Sequence, residues 1–266
     1  INISTISRGP LYSSICVDSS GNIYAAWVEN LIDNGHYVSR IYFGFSTNGG
    51  ITWSQSINIP NANNTWDVYE PAISVNGSGN IFVIWKEVSG WYDQAIYFSE
   101  STDSGATWST PKNISNNPQD SRVHYINMAF DNSSNIYAVW NFEYLNKYSV
   151  QFCKSTDNGT TWDQPVNINI LNKKYAHPAI AVDCLNNINL IWNDETSENT
   201  EIYFIRSMDN GESWTLPINI SNTQNSSCYP DIAIDSSCNI YIVWEDSSPG
   251  TGDIYFVSNV KEQPES

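Results

Sequence analysis

Two sets of side chains recur at fixed spacing and could do chemistry. Glu29, Glu87, Phe142, Asp194 and Asp246 stand two residues after Trp27, Trp85, Trp140, Trp192 and Trp244. Residues two apart on a strand share a face, so each projects beside its tryptophan. The second set is Tyr12, Glu70, Tyr125, His177 and Tyr229, each opening a short apolar segment, with Trp66, Tyr69, His124, Trp91 and Tyr92 nearby. Aromatic rings with carboxylates between them suit sugars, which offer apolar C–H faces and hydroxyl donors. Two carboxylates across a sugar could also hydrolyse it, about 5–5.5 Å apart for retention or 6.5–9.5 Å for inversion. A carboxylate ring could hold a cation, but Phe142 interrupts this one and the histidines lack ligand spacing. No metal and no cofactor is expected.

Both sets need a scaffold that repeats. The turn STDSGATWS from Ser101 recurs as STNGGITWS from Ser46, STDNGTTWD from Ser155 and SMDNGESWT from Ser207. A period of about fifty residues with a fixed turn signals a stacked array. Five NIYxxW-like runs and five IYFxxS-like runs interleave with it. One unit reads as strand A (ICVD, AISV, MAFD, AIAV or IAID), a tight polar turn, strand B, a variable loop, strand C, the repeated turn and strand D. Strands B and C are apolar on both faces, as in sheets packed between neighbours.

The expected fold is all-β, a five-bladed β-propeller of four-stranded antiparallel blades. One domain, 1–266, carries blades at about 5–60, 61–115, 116–170, 171–222 and 223–260 plus 1–4. The last unit lacks strand D, and Ile1-Asn2-Ile3-Ser4 matches the INIS of 218–221. The N-terminal strand is therefore expected to pair in the last blade, closing the ring and covering an edge. Strands alternate direction, so the divergent B–C and D–A loops share one face, the natural place for binding.

The turn pattern Ser-x-Asp-x-Gly-x-Thr/Ser-Trp resembles the Asp-box, or BNR repeat, of the sialidase-like β-propeller superfamily. Its chemistry is structural. Asn48, Asp103, Asp157 and Asp209 can accept from turn N–H groups. Gly50, Gly105, Gly159 and Gly211 permit positive φ. Trp53, Trp108, Trp162 and Trp214 pack over their turns. The resemblance implies that these boxes sit at the blade periphery, away from active centres. It also implies, for sialidases, an arginine triad, a Tyr/Glu nucleophile pair and an Asp acid/base. Arg8-Gly9-Pro10 stands where an Arg-Ile-Pro motif would be sought, and the other arginines are Arg40, Arg122 and Arg206. The sialidase catalytic motif is absent and no catalytic residue is assigned.

A net charge of −17 repels phosphate backbones and anionic lipid, so neither nucleic acid nor membrane insertion is expected. Cys16, Cys153, Cys184, Cys228 and Cys238 lack metal spacing and read as mostly free, with room for one bonded pair. The expected location is extracellular or the cell surface, with no signal sequence in this chain. The leading function is a non-catalytic, lectin-like carbohydrate-binding or surface-recognition propeller. It would take a glycan or other small polar ligand at the loop face. The alternatives are a glycoside hydrolase acting through mouth carboxylates and a structural or protein-interaction module of a larger extracellular protein.

Overall fold

The computed structural model describes residues 1–4, 9–33, 35–64, 66–89, 93–171, 176–195, 199–247 and 252–260. These residues form strands and turns, without a helix. The first sheet is β1 (Leu11–Val17), β2 (Ile23–Asp33), β3 (His36–Ser46) and β4 (Ile57–Ile59). The second is β5 (Asp67–Val75), β6 (Ile81–Val88), β7 (Gln94–Ser101) and β8 (Lys112–Asn113). The third is β9 (Arg122–Phe130), β10 (Ile136–Tyr144), β11 (Lys147–Ser155) and β12 (Val166–Leu171). The fourth is β13 (Ala179–Val182), β14 (Ile188–Glu195), β15 (Thr200–Ser207) and β16 (Ile218–Asn219). The fifth has three strands, β17 (Ser227–Ile234), β18 (Ile240–Asp246) and β19 (Asp253–Ser258). Neighbours in each sheet are consecutive in the chain and antiparallel, the meander of a propeller blade.

The period-2 pattern explains how the sheets stack. Strand B is buried on both faces: Ile81 to Glu87 is buried throughout. One face meets the preceding blade and the other the following blade. Each interface has its own apolar layer. Phe43, Ile41 and Ala26 of the first sheet meet Val68, Ile73 and Trp85 of the second. Equivalent layers join the second sheet to the third, the third to the fourth and the fourth to the fifth. Within a blade, the strand-B tryptophan stacks on the strand-C tyrosine across the ladder, as for Trp85–Tyr97 at 6.3 Å and Trp192–Tyr203 at 5.9 Å between centroids. The third blade carries Gln151 there instead, and Trp140 Nε1 donates to its Oε1 at 3.0 Å.

The Asp-boxes fold as their residue types dictate. Asp103 Oδ1 accepts from Ser101 Oγ and from the Thr107 N–H, both at 2.8 Å, and Oδ2 accepts from Thr107 Oγ1 at 2.6 Å. Asp157 and Asp209 repeat the set, and Asn48 supplies its amide oxygen in the first copy. The tryptophans do more than cover their own turns. Trp108, Trp162 and Trp214 meet Phe43, Phe98 and Phe152 of the preceding blade edge-on, with centroids 5.3, 5.2 and 5.2 Å apart. Glycine is required there by proximity as well as by φ: a Cβ on Gly105 would stand 2.1 Å from the Phe43 ring.

A second polar turn, between strands A and B, is as regular. Asp18, Asp131, Asp183 and Asp235 each accept from the N–H groups two and four residues on. Asn76 does so in the second blade. Tyr24, Tyr137 and Tyr241 add a phenol donor to the same carboxylates. One disulfide joins two of these turns, Cys184 in the fourth blade to Cys238 in the fifth, with Cα atoms 5.3 Å apart. Cys16 and Cys153 are free.

The expected closure is not made. Ile1–Ser4 is not in a strand and shares the rim of a small cavity with Leu11–Ser13 and Ala25–Trp27 of the first blade. Among the described residues no segment pairs with the outer edge of β19. The INIS likeness is local. Pairing depends on where the preceding sheets leave the terminus, which a four-residue match does not encode.

Candidate functional site

The first residues of strand A converge on the axis because the strand is bulged there. Register shifts interrupt the β1–β2, β5–β6, β9–β10 and β17–β18 ladders at the segments holding Tyr12, Glu70, Tyr125 and Tyr229. Those four residues have φ of 47°, 51°, 55° and 52°. A β-carbon resists the left-handed region by about 1–2 kcal/mol. Four blades nevertheless adopt the same strained geometry, which re-aims one side chain out of the ladder. His177 occupies the position in the fourth blade without positive φ.

A cavity of about 1050 Å³ opens at this end. It is lined by Tyr12 and Ser13 of the first blade, Asp67, Tyr69, Glu70, Pro71, Lys86, Val88 and Gln94 of the second, and His124, Tyr125 and Ile126 of the third. Tyr12 and Tyr69 meet edge-on at 6.0 Å. Tyr125 packs 3.8 Å from the His177 ring centroid, which lies 4.4 Å from that of Tyr229. An aromatic arc thus continues past the cavity wall into the fourth and fifth blades.

Glu70 and Lys86 are paired within the cavity. Glu70 Oε1 accepts from Lys86 Nζ at 2.7 Å and Oε2 from the Tyr125 N–H at 2.7 Å. The Lys86 ammonium also stands 5.4 Å from the Tyr69 centroid, within cation–π range. Asp67 Oδ1 is 3.4 Å from Ser39 Oγ. Burial, then the nearby Asp67 carboxylate, push the Tyr69 phenol above its ordinary range, so it stays a donor. His177 Nδ1 donates to Asn193 Oδ1 at 2.9 Å, which leaves Nε2 as the acceptor nitrogen of a neutral ring. Burial lowers the His177 pKa, opposed by Asn193 and Glu70.

The strand-B acids do different work. Glu87 is fully buried and accepts from the Ala62 N–H at 2.7 Å, the Asn63 N–H at 3.2 Å and Trp85 Nε1 at 3.0 Å. Burial pushes its carboxyl up despite these donors. Asp246, also fully buried, accepts from Thr223 Oγ1 and Ser227 Oγ at 2.8 and 2.7 Å. Each acid ties down the loop leading into its own blade. Glu29 accepts from Trp27 Nε1 at 2.6 Å, and its Oε2 is buried without a partner among the described residues. The corresponding loop of the first blade includes 5–8, outside those residues.

Glu70, Tyr69, His124 and Tyr125 therefore share the cavity, with His177 and Tyr229 beside it. Glu87 and Asp246 lie under the loops, and Glu29 is buried beside Trp27. Trp66 is half-buried in a loop turn, its N–H donating to Asn63 O, and is not on the lining. Trp91 and Tyr92 fall outside the described residues. Lys86 was not foreseen. It follows Trp85 on the strand, where the apolar run hides a buried cation. The one available signal was Glu70 standing where other blades carry an aromatic ring. Arg40 donates to the Ser39 and Asn64 carbonyls, Arg122 reaches Glu143 at 3.4 Å and Arg206 reaches Asn189 at 2.9 Å. None of these three lines the cavity. Among the described residues, no three His, Cys, Asp or Glu side chains are grouped to hold a metal.

The model of the BNR repeat-like domain matches residues 1–183. The chain belongs to the BNR repeat-like family. Solved structures agree in fold. A protein of unknown function from Dyadobacter fermentans superposes with a TM-score of 0.68 at 14% identity, covering 96% of this chain and 77% of its own. An α-L-arabinofuranosidase from Fusarium graminearum gives 0.66 at 14%, covering 92% and 80%. A leech intramolecular trans-sialidase gives 0.65 at 12%, covering 97% and 70%. No curated protein matches the chain in sequence. The BNR repeat-like chain thus has the sialidase-like propeller architecture that its Asp-boxes imply.

Proposed function

We propose that this BNR repeat-like chain is a non-catalytic, lectin-like propeller that binds a glycan at the axial mouth. The observation that carries the reading is the strained Tyr12, Glu70 and Tyr125 set around a cavity also lined by Tyr69. Tyrosine rings offer stacking faces and phenol donors. Glu70 is committed to Lys86 and the Tyr125 N–H, so it orients the wall rather than waiting for a proton. Among the described residues no arginine lines the cavity, which argues against a carboxylate-gripping sialidase site. The inter-blade disulfide supports an oxidising, extracellular or cell-surface setting.

Binding to an array of neutral and acidic glycans tests this. The expected result is a saturable signal for a subset of glycans. Tyr125→Ala should weaken it by about tenfold or more, equal to about 1.4 kcal/mol. No binding above background across the array would overturn the reading.

A glycoside hydrolase is the second reading, favoured by Asp67 and Glu70 sharing one cavity and by the arabinofuranosidase and trans-sialidase among its structural neighbours. Turnover of chromogenic glycosides, abolished in Glu70→Gln, would favour it over the first. A protein-interaction module would instead show a protein partner and no glycan binding.

A further inference from the structure

The axial cavity carries one acid that the protein does not neutralise. Its lining holds two carboxylates, Asp67 and Glu70, one ammonium, Lys86, and, among the described residues, no arginine. The ammonium is already committed. It is buried, lies 2.7 Å from Glu70 Oε1 and stands 5.4 Å from the Tyr69 ring centroid. Glu70 is committed as well, since its second oxygen accepts from the Tyr125 N–H at 2.7 Å. Asp67 differs. Its Oδ1 lies 3.4 Å from Ser39 Oγ, long for a hydroxyl donor, and the neutral Tyr69 phenol stands beside it. Among the described residues no cation pairs with Asp67.

The walls around that carboxylate favour one sign of ligand charge. Tyr12 and Tyr69 meet edge-on, with centroids 6.0 Å apart and planes at 86°, so ring surface is offered from two directions. The face of an aromatic ring attracts an ammonium, and cages of such rings hold organic cations. This wall already does so for the protein's own Lys86. The net charge of −17 adds a field of the same sign, and a cleft focuses it. A ligand carboxylate would meet Asp67 with no uncommitted cation on the lining to offset the repulsion. The cavity, at about 1050 Å³, has room for far more than an ammonium, so the cation it suits is carried on a larger body.

We propose that the mouth selects glycans bearing an unacylated amine, with Asp67 accepting from the ammonium and the Tyr12–Tyr69 pair packing against the sugar that carries it. The inference rests on the glycan reading of the mouth and narrows it. Amino sugars are preferred, their neutral N-acetyl forms bind more weakly, and acidic sugars are excluded. Asp67 is the specificity-determining residue. It would gain a charge-assisted hydrogen bond, roughly twice as strong as a neutral one, in a half-buried position that salt screens less than the open surface.

Isothermal titration calorimetry of the 266-residue chain at neutral pH tests this. The probes are a β-1,4-linked glucosamine trimer, the same trimer N-acetylated, a galacturonate trimer, and cadaverine, an amine without a sugar. The glucosamine trimer should bind about tenfold or more tighter than its acetylated form, and the gap should narrow in high salt. The galacturonate trimer should give no heat of binding. Asp67→Asn should bring the first two affinities within about twofold of each other, with thermal melting as the check on folding. Equal affinities for the amine and the acetylated trimer would overturn the proposal, as would tightest binding of galacturonate. So would an Asp67→Asn chain that keeps the gap, including one that loses both ligands equally, which makes Asp67 a structural residue. If a glycan array shows binding while the amine brings no advantage, the glycan reading stands and this inference alone falls. If cadaverine binds as tightly as the glucosamine trimer, the ammonium rather than the sugar is the ligand, and both fall. The comparison of probes needs no variant and stands even if Asp67→Asn fails to fold.

Discussion

Asp103, Asp157 and Asp209 carry the same motif, and their surroundings explain why it is kept. Hydroxyl and N–H donors from Thr107, then Ser101, hold the Asp103 carboxyl at about 2, and Ser213 and Ser207 do the same for Asp209. The folded pKa lies below the unfolded value near 3.9. The stabilisation is therefore complete above about pH 4 and is lost as pH falls through about 2. Acid titration followed by circular dichroism should show Asp103→Asn weakening stability most at neutral pH, with the difference vanishing near pH 2. His177 has the opposite identity and the same direction of loss. Its folded pKa is lowered, so its contribution is present above about 6.5 and declines as pH falls below that. His177→Phe should flatten the stability profile between about pH 7 and 5. The Asp-box glycines separate conformational strain from contact. Gly105→Ala should cost about 2–4 kcal/mol in urea unfolding, because left-handed strain adds to overlap with Phe43. Gly50→Ala has only the strain, about 1 kcal/mol. Equal losses would mean that the inter-blade contact contributes nothing.

At the level of strands and loops, the sequence was legible where the signal is local. The apolar run in NIFVIWKE, the Asp-box spacing and the polar A–B turns read directly as strands and hairpins. Which loops share an end was legible too, since strand direction fixes it. What could not be read is which side of an anchoring loop an acid occupies. Glu87 and Glu70 look alike in sequence. One lies under residues 62–63 and the other on the cavity wall, and the difference depends on how the incoming loop folds back. The test is Glu87→Ala. It strands the Ala62 and Asn63 N–H groups and the Trp85 indole and should cost about 2–4 kcal/mol. The Trp108–Phe43 contact was hidden for a related reason. Its partners are 65 positions apart, on different blades. The disulfide links elements 54 residues apart, and the chain-entropy relation gives about 4 kcal/mol for a loop of that length. Cys184→Ser should lower the unfolding free energy by up to that amount, measured against the same variant in Cys238.

At the scale of the whole molecule, a repeat count yields five sheets but not whether they close. Closure depends on curvature accumulated over every interface, and no short segment records it. Among the described residues the fifth sheet does not pack back on the first as its neighbours pack on one another, so the sheets behave as a short linear chain of coupled units with two ends. In such a chain each inner unit is held from both sides and each terminal unit from one, so opening proceeds inward from the termini. Amide exchange should therefore be slowest in the third blade, at Ile136 to Trp140, and faster toward both ends. The gradient should also be lopsided. The Cys184–Cys238 bond ties the fifth blade to the fourth, while the first blade has no such tether. The first blade should peel away earliest under denaturant, and reduction should bring the two ends to parity. A propeller is usually pictured as a wheel; this one should unravel like a zip fastened at one end.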